Sequence, residues 1–146
     1  MISIRPHSRK EIEKFLTKKL RTITPETAIS VRDTVLSRLE EMKYIDDEAF
    51  ASWYIKARSG HHARGIEIIK RELQVKGVPL EIIDRVYLSI SEQGEFDELE
   101  NAKRALGRKL ERFVSLPKLD AKKKLYRFLT RRGFSREVFE RLVDEI

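Results

Sequence analysis

Residues 69–87 (IKRELQVKGVPLEIIDRVY) and 125–143 (LYRFLTRRGFSREVFERLV) align without a gap at an offset of 56. Whatever this chain folds into must therefore accommodate the same unit twice. Five positions are identical: Arg71/Arg127, Leu73/Leu129, Gly77/Gly133, Glu81/Glu137 and Arg85/Arg141. Most other positions exchange one apolar residue for another, as in Ile69/Leu125 and Ile83/Phe139, or keep the charge, as in Lys76/Arg132. Repeated helical units build surfaces for binding more readily than pockets for chemistry.

The glycine in each copy follows the last apolar turn of a helix, where the left-handed conformation is costly for any other residue. Val78-Pro79 after Gly77, and Phe134-Ser135 after Gly133, then restart a helix, by proline in the first turn and by a serine cap respectively. A weaker third copy lies upstream: Ile12, Leu16 and Leu20 match Ile69, Leu73 and Gly77 at an offset of 57. Thr24-Pro25-Glu26 reads as a helix start, with Ala28, Val31, Val35, Leu39 and Met42 on its apolar stripe. Phe50, Trp53, Tyr54 and Ala57 follow at helical spacing, and so do Phe96, Leu99, Ala102, Leu106, Leu110 and Phe113. No period-two alternation is present. The expected fold is all-α: about eight helices in tandem three-helix repeats at roughly 8–58, 64–115 and 119–146, the third truncated. These repeats are expected to form a single domain over 1–146, an elongated, curved array.

The 146 residues, 40% of them apolar, suit one soluble domain. No apolar run approaches the ~20 residues of a membrane helix, the N-terminus shows no apolar signal stretch, and a cytoplasmic location is expected. With no cysteine, disulfide and thiolate chemistry are excluded. The formal charge of +7 is regional: residues 101–136 hold 13 Lys/Arg against 2 acids, and residues 1–24 hold 7 against 2. Fields of this kind attract polyanions, with an affinity that falls as salt rises. A merely solvated face would mix both signs. The expected binding residues, chosen for charge density, are Arg104, Arg108, Lys109, Lys123, Lys124, Arg127 and Arg131. Nothing in their spacing favours reading of bases over contact with phosphate.

Catalytic constellations are wanting. Asp46 and Asp47 sit at a helix start, where capping explains them better than acid–base chemistry. His61 and His62 occupy a polar linker without Cys or carboxylate partners. Gly60 and Gly65 lack the strand and GK[ST] ending of a phosphate loop. The stripe Phe50, Trp53, Tyr54 is expected to be core and not a base-stacking platform. No cofactor and no metal are expected.

The run Tyr44-Ile-Asp-Asp-Glu-Ala-Phe-Ala-Ser-Trp-Tyr54, then Arg58, Gly65, Ile69, Glu72-Leu73 and Lys76-Gly77-Val78, resembles the RecX family of recombinase regulators. The family signature is a DD-xx-FA-xx-Y-xxx-R helix followed by a G-xxx-I-xx-EL-xx-KG helix. Arg5-Pro-His-Ser8 with Glu11-Ile12 resembles the family's opening motif, and Lys124 to Leu129 with Arg132-Gly133-Phe134 its closing one. The chain departs from the pattern at Lys43, where the family usually has glycine, and in its short start and its third unit without a final helix. The matching residues Asp46, Asp47, Phe50, Ala51, Tyr54, Arg58, Gly65, Ile69, Leu73 and Gly77 are assigned mainly to folding, with Phe50 and Tyr54 packing the first repeat onto the second. The resemblance implies a non-catalytic bacterial protein that binds RecA and its filament on single-stranded DNA. It would lower recombinase, ATPase and co-protease activity by groove binding or by blocking growth, and so act in DNA recombination, repair and the SOS response, as a monomer. A general nucleic-acid-binding helical protein acting without RecA is the alternative.

Overall fold

A computed structural model of the chain describes residues 5–42, 45–59 and 62–146. Lys43, Tyr44, Gly60 and His61, which figure in the sequence reading, lie outside the described residues. Nine helices stand among those that are described: α1 (Arg9–Lys19), α2 (Pro25–Glu41), α3 (Asp47–Ala57), α4 (Ile66–Val75), α5 (Leu80–Glu92), α6 (Glu98–Leu106), α7 (Arg108–Val114), α8 (Lys118–Arg131) and α9 (Arg136–Asp144). The fold is all-α and helical-repeat in kind. An isolated parallel bridge between His7 and Ile45 is the only extended pairing among the described residues.

The expected eight helices become nine because Phe96 to Phe113 does not run as one helix. Gly107 takes φ +50° and ψ −130°, conformations closed to most side chains, and ends α6 while starting α7. The stripe expected on α2 is also corrected. Leu36 is the buried residue there, whereas Val31 and Met42 are exposed. Apolar residues spread over a wide arc of α2, so spacing alone does not fix which line faces inward.

Two compact units contain the chain: one is Met1–Tyr54 with Leu73–Tyr87, the other Ile55–Glu72 with Leu88–Ile146. In the first, Ile12, Leu36 and Ile45 form a core flanked by Leu16 and Leu39. The opening motif ties this unit together around one carboxylate. Arg5 donates to both Glu11 oxygens at 3.2 Å, the Ser8 amide donates to Glu11 at 3.3 Å, and Ser8 Oγ caps α1 by accepting from the Glu11 amide. Partial burial by itself raises the Glu11 carboxyl; the bonds and charge of Arg5, the Ser8 amide and the more distant Lys76 outweigh it and hold the group below its usual value. The Arg5 guanidinium also lies 5.2 Å from the Trp53 ring and 5.8 Å from Phe50. Phe50 and Tyr54 are buried, but Trp53 keeps 38% of its surface exposed beneath that cation, so it is not the core residue its spacing suggested. The aspartate pair divides its labour: Asp46 accepts from the Ala49 amide at the start of α3, and Asp47 accepts from the Arg9 amide at the start of α1.

In the second unit the core joins Ala102, Leu106, Leu125, Leu129, Val138 and Leu142 from α6, α8 and α9 with Phe134 from the turn between the last two. Buried Glu98 accepts from the Ile66 amide at 3.1 Å, the Ser135 amide at 2.9 Å and Ser135 Oγ at 2.7 Å, so one side chain fixes the starts of α4 and α9. Ser135 Oγ in turn accepts from the Val138 amide, as the sequence suggested. Thr24 does stand at the start of α2, but its hydroxyl bonds to Thr27 and caps no amide.

The internal repeat has a structural counterpart in a joint that occurs once in each unit. Ser8 Oγ donates to the Lys76 carbonyl beside Gly77, and the Gly65 amide donates to the Arg132 carbonyl beside Gly133. Both glycines have left-handed backbones, with φ +89° and +78°. A Cβ on Gly77 would lie 2.5 Å from Lys10 Cδ, and one on Gly133 would lie 2.4 Å from Ile68 Cγ1. Each glycine therefore both ends its helix and lets the start of a helix from the preceding repeat sit against the turn.

Candidate polyanion-binding groove

Helices α7 and α8 of the second unit enclose a groove of about 580 Å³, lined by Lys109, Arg112, Phe113, Leu116, Lys124, Arg127, Phe128, Arg131 and Arg132. The lining comes from two matching stretches. Lys109-Leu-Glu-Arg-Phe113 and Lys124-Leu-Tyr-Arg-Phe128 share the pattern K-L-x-R-F, and in a helix positions i, i+3 and i+4 share one face. Lysine, arginine and phenylalanine therefore point the same way from each helix, and Arg131 extends the α8 row by another turn.

Six cations and no acid line this groove. Arg132 lies 4.9 Å and Lys109 5.2 Å from the Phe128 ring centre, so an aromatic floor holds two of the positive charges in place. Like charges this close repel one another, and an incoming polyanion would relieve that repulsion and release counterions.

Of the residues expected from charge density, the structure brings Lys109, Lys124, Arg127 and Arg131 together. It leaves Arg104, Arg108 and Lys123 outside the lining, with Arg104 turned toward Glu100 at 3.5 Å. Arg108 and Lys123 each precede a groove lysine by one residue, which is about 100° around a helix. Arg112, Arg132 and the apolar floor were not among the residues expected as contacts; the repeated K-L-x-R-F could have found Arg112, Phe113 and Phe128, while Arg132 follows Phe128 by one helical turn, outside that pattern.

The closing motif supplies Lys124, Arg127, Phe128 and Arg132 to the groove, whereas the motif residues assigned to folding lie elsewhere in the chain. Phe50, Ala51, Ile69 and Leu73 are fully buried and Tyr54 nearly so. Arg58 Nε lies 3.6 Å from Glu72, which Arg64 also contacts. Among the described residues no group of three His, Cys, Asp or Glu is placed to hold a metal ion, and no helix is long and apolar enough to cross a membrane.

Residues 96–143 match the family model described as RecX, third three-helix domain, a span that takes in α6 to α9. The regulatory protein RecX of Bacillus cereus (strain B4264) is 32% identical over 145 residues, covering 99% of this chain and 50% of the relative. The chain is similar to RecX proteins over nearly its whole length. The regulatory protein RecX of Bacillus cytotoxicus is 29% identical over the same 145 residues. Among RecX relatives of known structure, a crystal structure of RecX from Lactobacillus salivarius superposes with a TM-score of 0.75 at 20% identity, over 99% of this chain and 88% of that one. A second RecX crystal structure gives 0.71 at 26% identity, over 98% and 66%. The chain spans about half the length of the Bacillus relatives it matches. The span 96–143 begins inside the segment that the sequence reading counts with the second repeat.

Proposed function

We propose that this chain is a non-catalytic cytoplasmic regulator that binds RecA and its filament on single-stranded DNA and lowers its ATPase, recombinase and co-protease activity. Its 146 residues would act as one repeat domain and as a monomer. Similarity to relatives named regulatory proteins supports this reading. The observation that carries it is the groove between α7 and α8, with six cations, no acid and no nucleophile or base in its lining. A surface of that kind suits a nucleoprotein filament, which presents phosphates. Lys109, Lys124, Arg127 and Arg131 would be the principal contacts, joined by Arg112 and Arg132; Arg104, Arg108 and Lys123 would contribute only to the surrounding field.

RecA-driven ATP hydrolysis on single-stranded DNA, titrated with this chain at fixed moderate salt, tests the proposal. Inhibition at amounts well below one chain per RecA monomer is expected. Undiminished hydrolysis with DNA still bound would replace the regulator by a general nucleic-acid binder.

A further inference from the structure

We infer that the first unit carries a separate cleft for the phosphate groups of a nucleic-acid strand, formed by one face of α1 and by Arg32 of α2. Lys10, Lys14 and Lys18 follow one another at four-residue intervals along α1, and Arg21 continues them past its end. Together with Thr17, Glu13 and Arg32 they line a cleft of about 360 Å³. Glu13 is the single acid in that lining, and Arg9 Nε already binds its carboxylate at 3.1 Å. The Lys10 ammonium is directed to the Val75 carbonyl at 3.4 Å. Lys14, Lys18 and Arg21 have no ion-pair partner among the described residues.

Arg32 adds a further cation from α2, its side chain 34% exposed. Its Nε is buried from solvent and has no hydrogen-bond partner, with the Asp33 carboxylate at 3.7 Å, beyond hydrogen-bond range. That N–H is closed to an incoming oxyanion, so Arg32 would act on a bound strand through its charge. Like charges four apart on a helix are unfavourable until an anion lies along them. Lysines four residues apart rise by about 6 Å along the helix, of the same order as the spacing of successive phosphates on an extended strand. The lining has no aromatic or aliphatic residue, unlike the groove between α7 and α8. It therefore offers no ring on which a base could stack, and it suits a sugar–phosphate backbone of any sequence.

Binding of the full chain to a labelled single-stranded oligonucleotide without RecA tests the site, so that this inference and the filament reading can fail separately. Lys14→Gln with Lys18→Gln, both good helix formers, is expected to lower affinity roughly tenfold near ~0.1 M salt and to make the salt slope shallower by about 1.4. Unchanged affinity and slope would overturn the site. Acetylation footprinting of the unaltered chain removes any dependence on how the variant folds. The oligonucleotide should shield Lys14 and Lys18 more than Lys56, while inorganic phosphate or polyglutamate at matched charge should not. A bound strand that leaves Lys14 and Lys18 open, or equal shielding by either of the other anions, would contradict the assignment.

Discussion

Glu98 accepts three hydrogen bonds from two helix starts, so truncating it leaves buried donors without partners in both. Glu98→Ala should lower stability by about 3 kcal/mol, and Glu98→Gln, which keeps an acceptor, by less. Urea unfolding of the two variants would check the order; equal stability of Glu98→Ala and the parent would remove the strut from the account. At Glu11 the folded state holds the carboxyl below its ordinary range, so the unfolded chain binds its proton more readily. Its contribution to stability is complete above the unfolded pKa and fades as pH falls through the folded one. The stability gap between the parent and Glu11→Gln should therefore narrow as acid is added, and a gap that stays constant would exclude the Arg5–Glu11 bonds as its source. The part of Glu98 was not legible in the sequence, because it finds Ser135 across 37 residues, whereas Ser8-x-x-Glu11 is a local capping pattern.

At the scale of the element, the two glycine turns were legible because helix-ending glycine leaves a local signature, while the helix start that docks on each turn is a tertiary fact. Gly133 has both a left-handed backbone and Ile68 against it; Gly94 has φ +71° with nothing within 4 Å of a would-be Cβ. Gly133→Ala should thus cost roughly 3 kcal/mol, against about 1 kcal/mol for Gly94→Ala. Comparable thermal midpoints for the two would mean that the joint yields. The break at Gly107 went unread because the apolar spacing from Phe96 to Phe113 runs on across it. The inward line of α2 went unread because Ile29, Val31, Val35, Leu36 and Leu39 cover too wide an arc. In the groove, the expected contacts include four of the six cations; helical phase would have added Arg112, since Lys109/Arg112 and Lys124/Arg127 share one register, and Arg132, one turn after Phe128.

At the scale of the whole molecule, repeated helices provide the scaffold, and under the proposed function a regional excess of positive charge would provide the means of binding. Both were visible in the sequence, since composition is local and a 56-residue offset needs no structure to detect. Which cations converge depends on the fold. The most direct measurement of the central claim is binding of the chain to preformed RecA filaments on single-stranded DNA, comparing the parent with Lys124→Glu/Arg127→Glu/Arg131→Glu. A control reverses Arg104, Arg108 and Lys123. The account predicts that the groove variant loses at least about tenfold in affinity with helicity intact, and that the control, carrying the same change in net charge, loses much less. Equal losses in the two, or none in the groove variant, would contradict it.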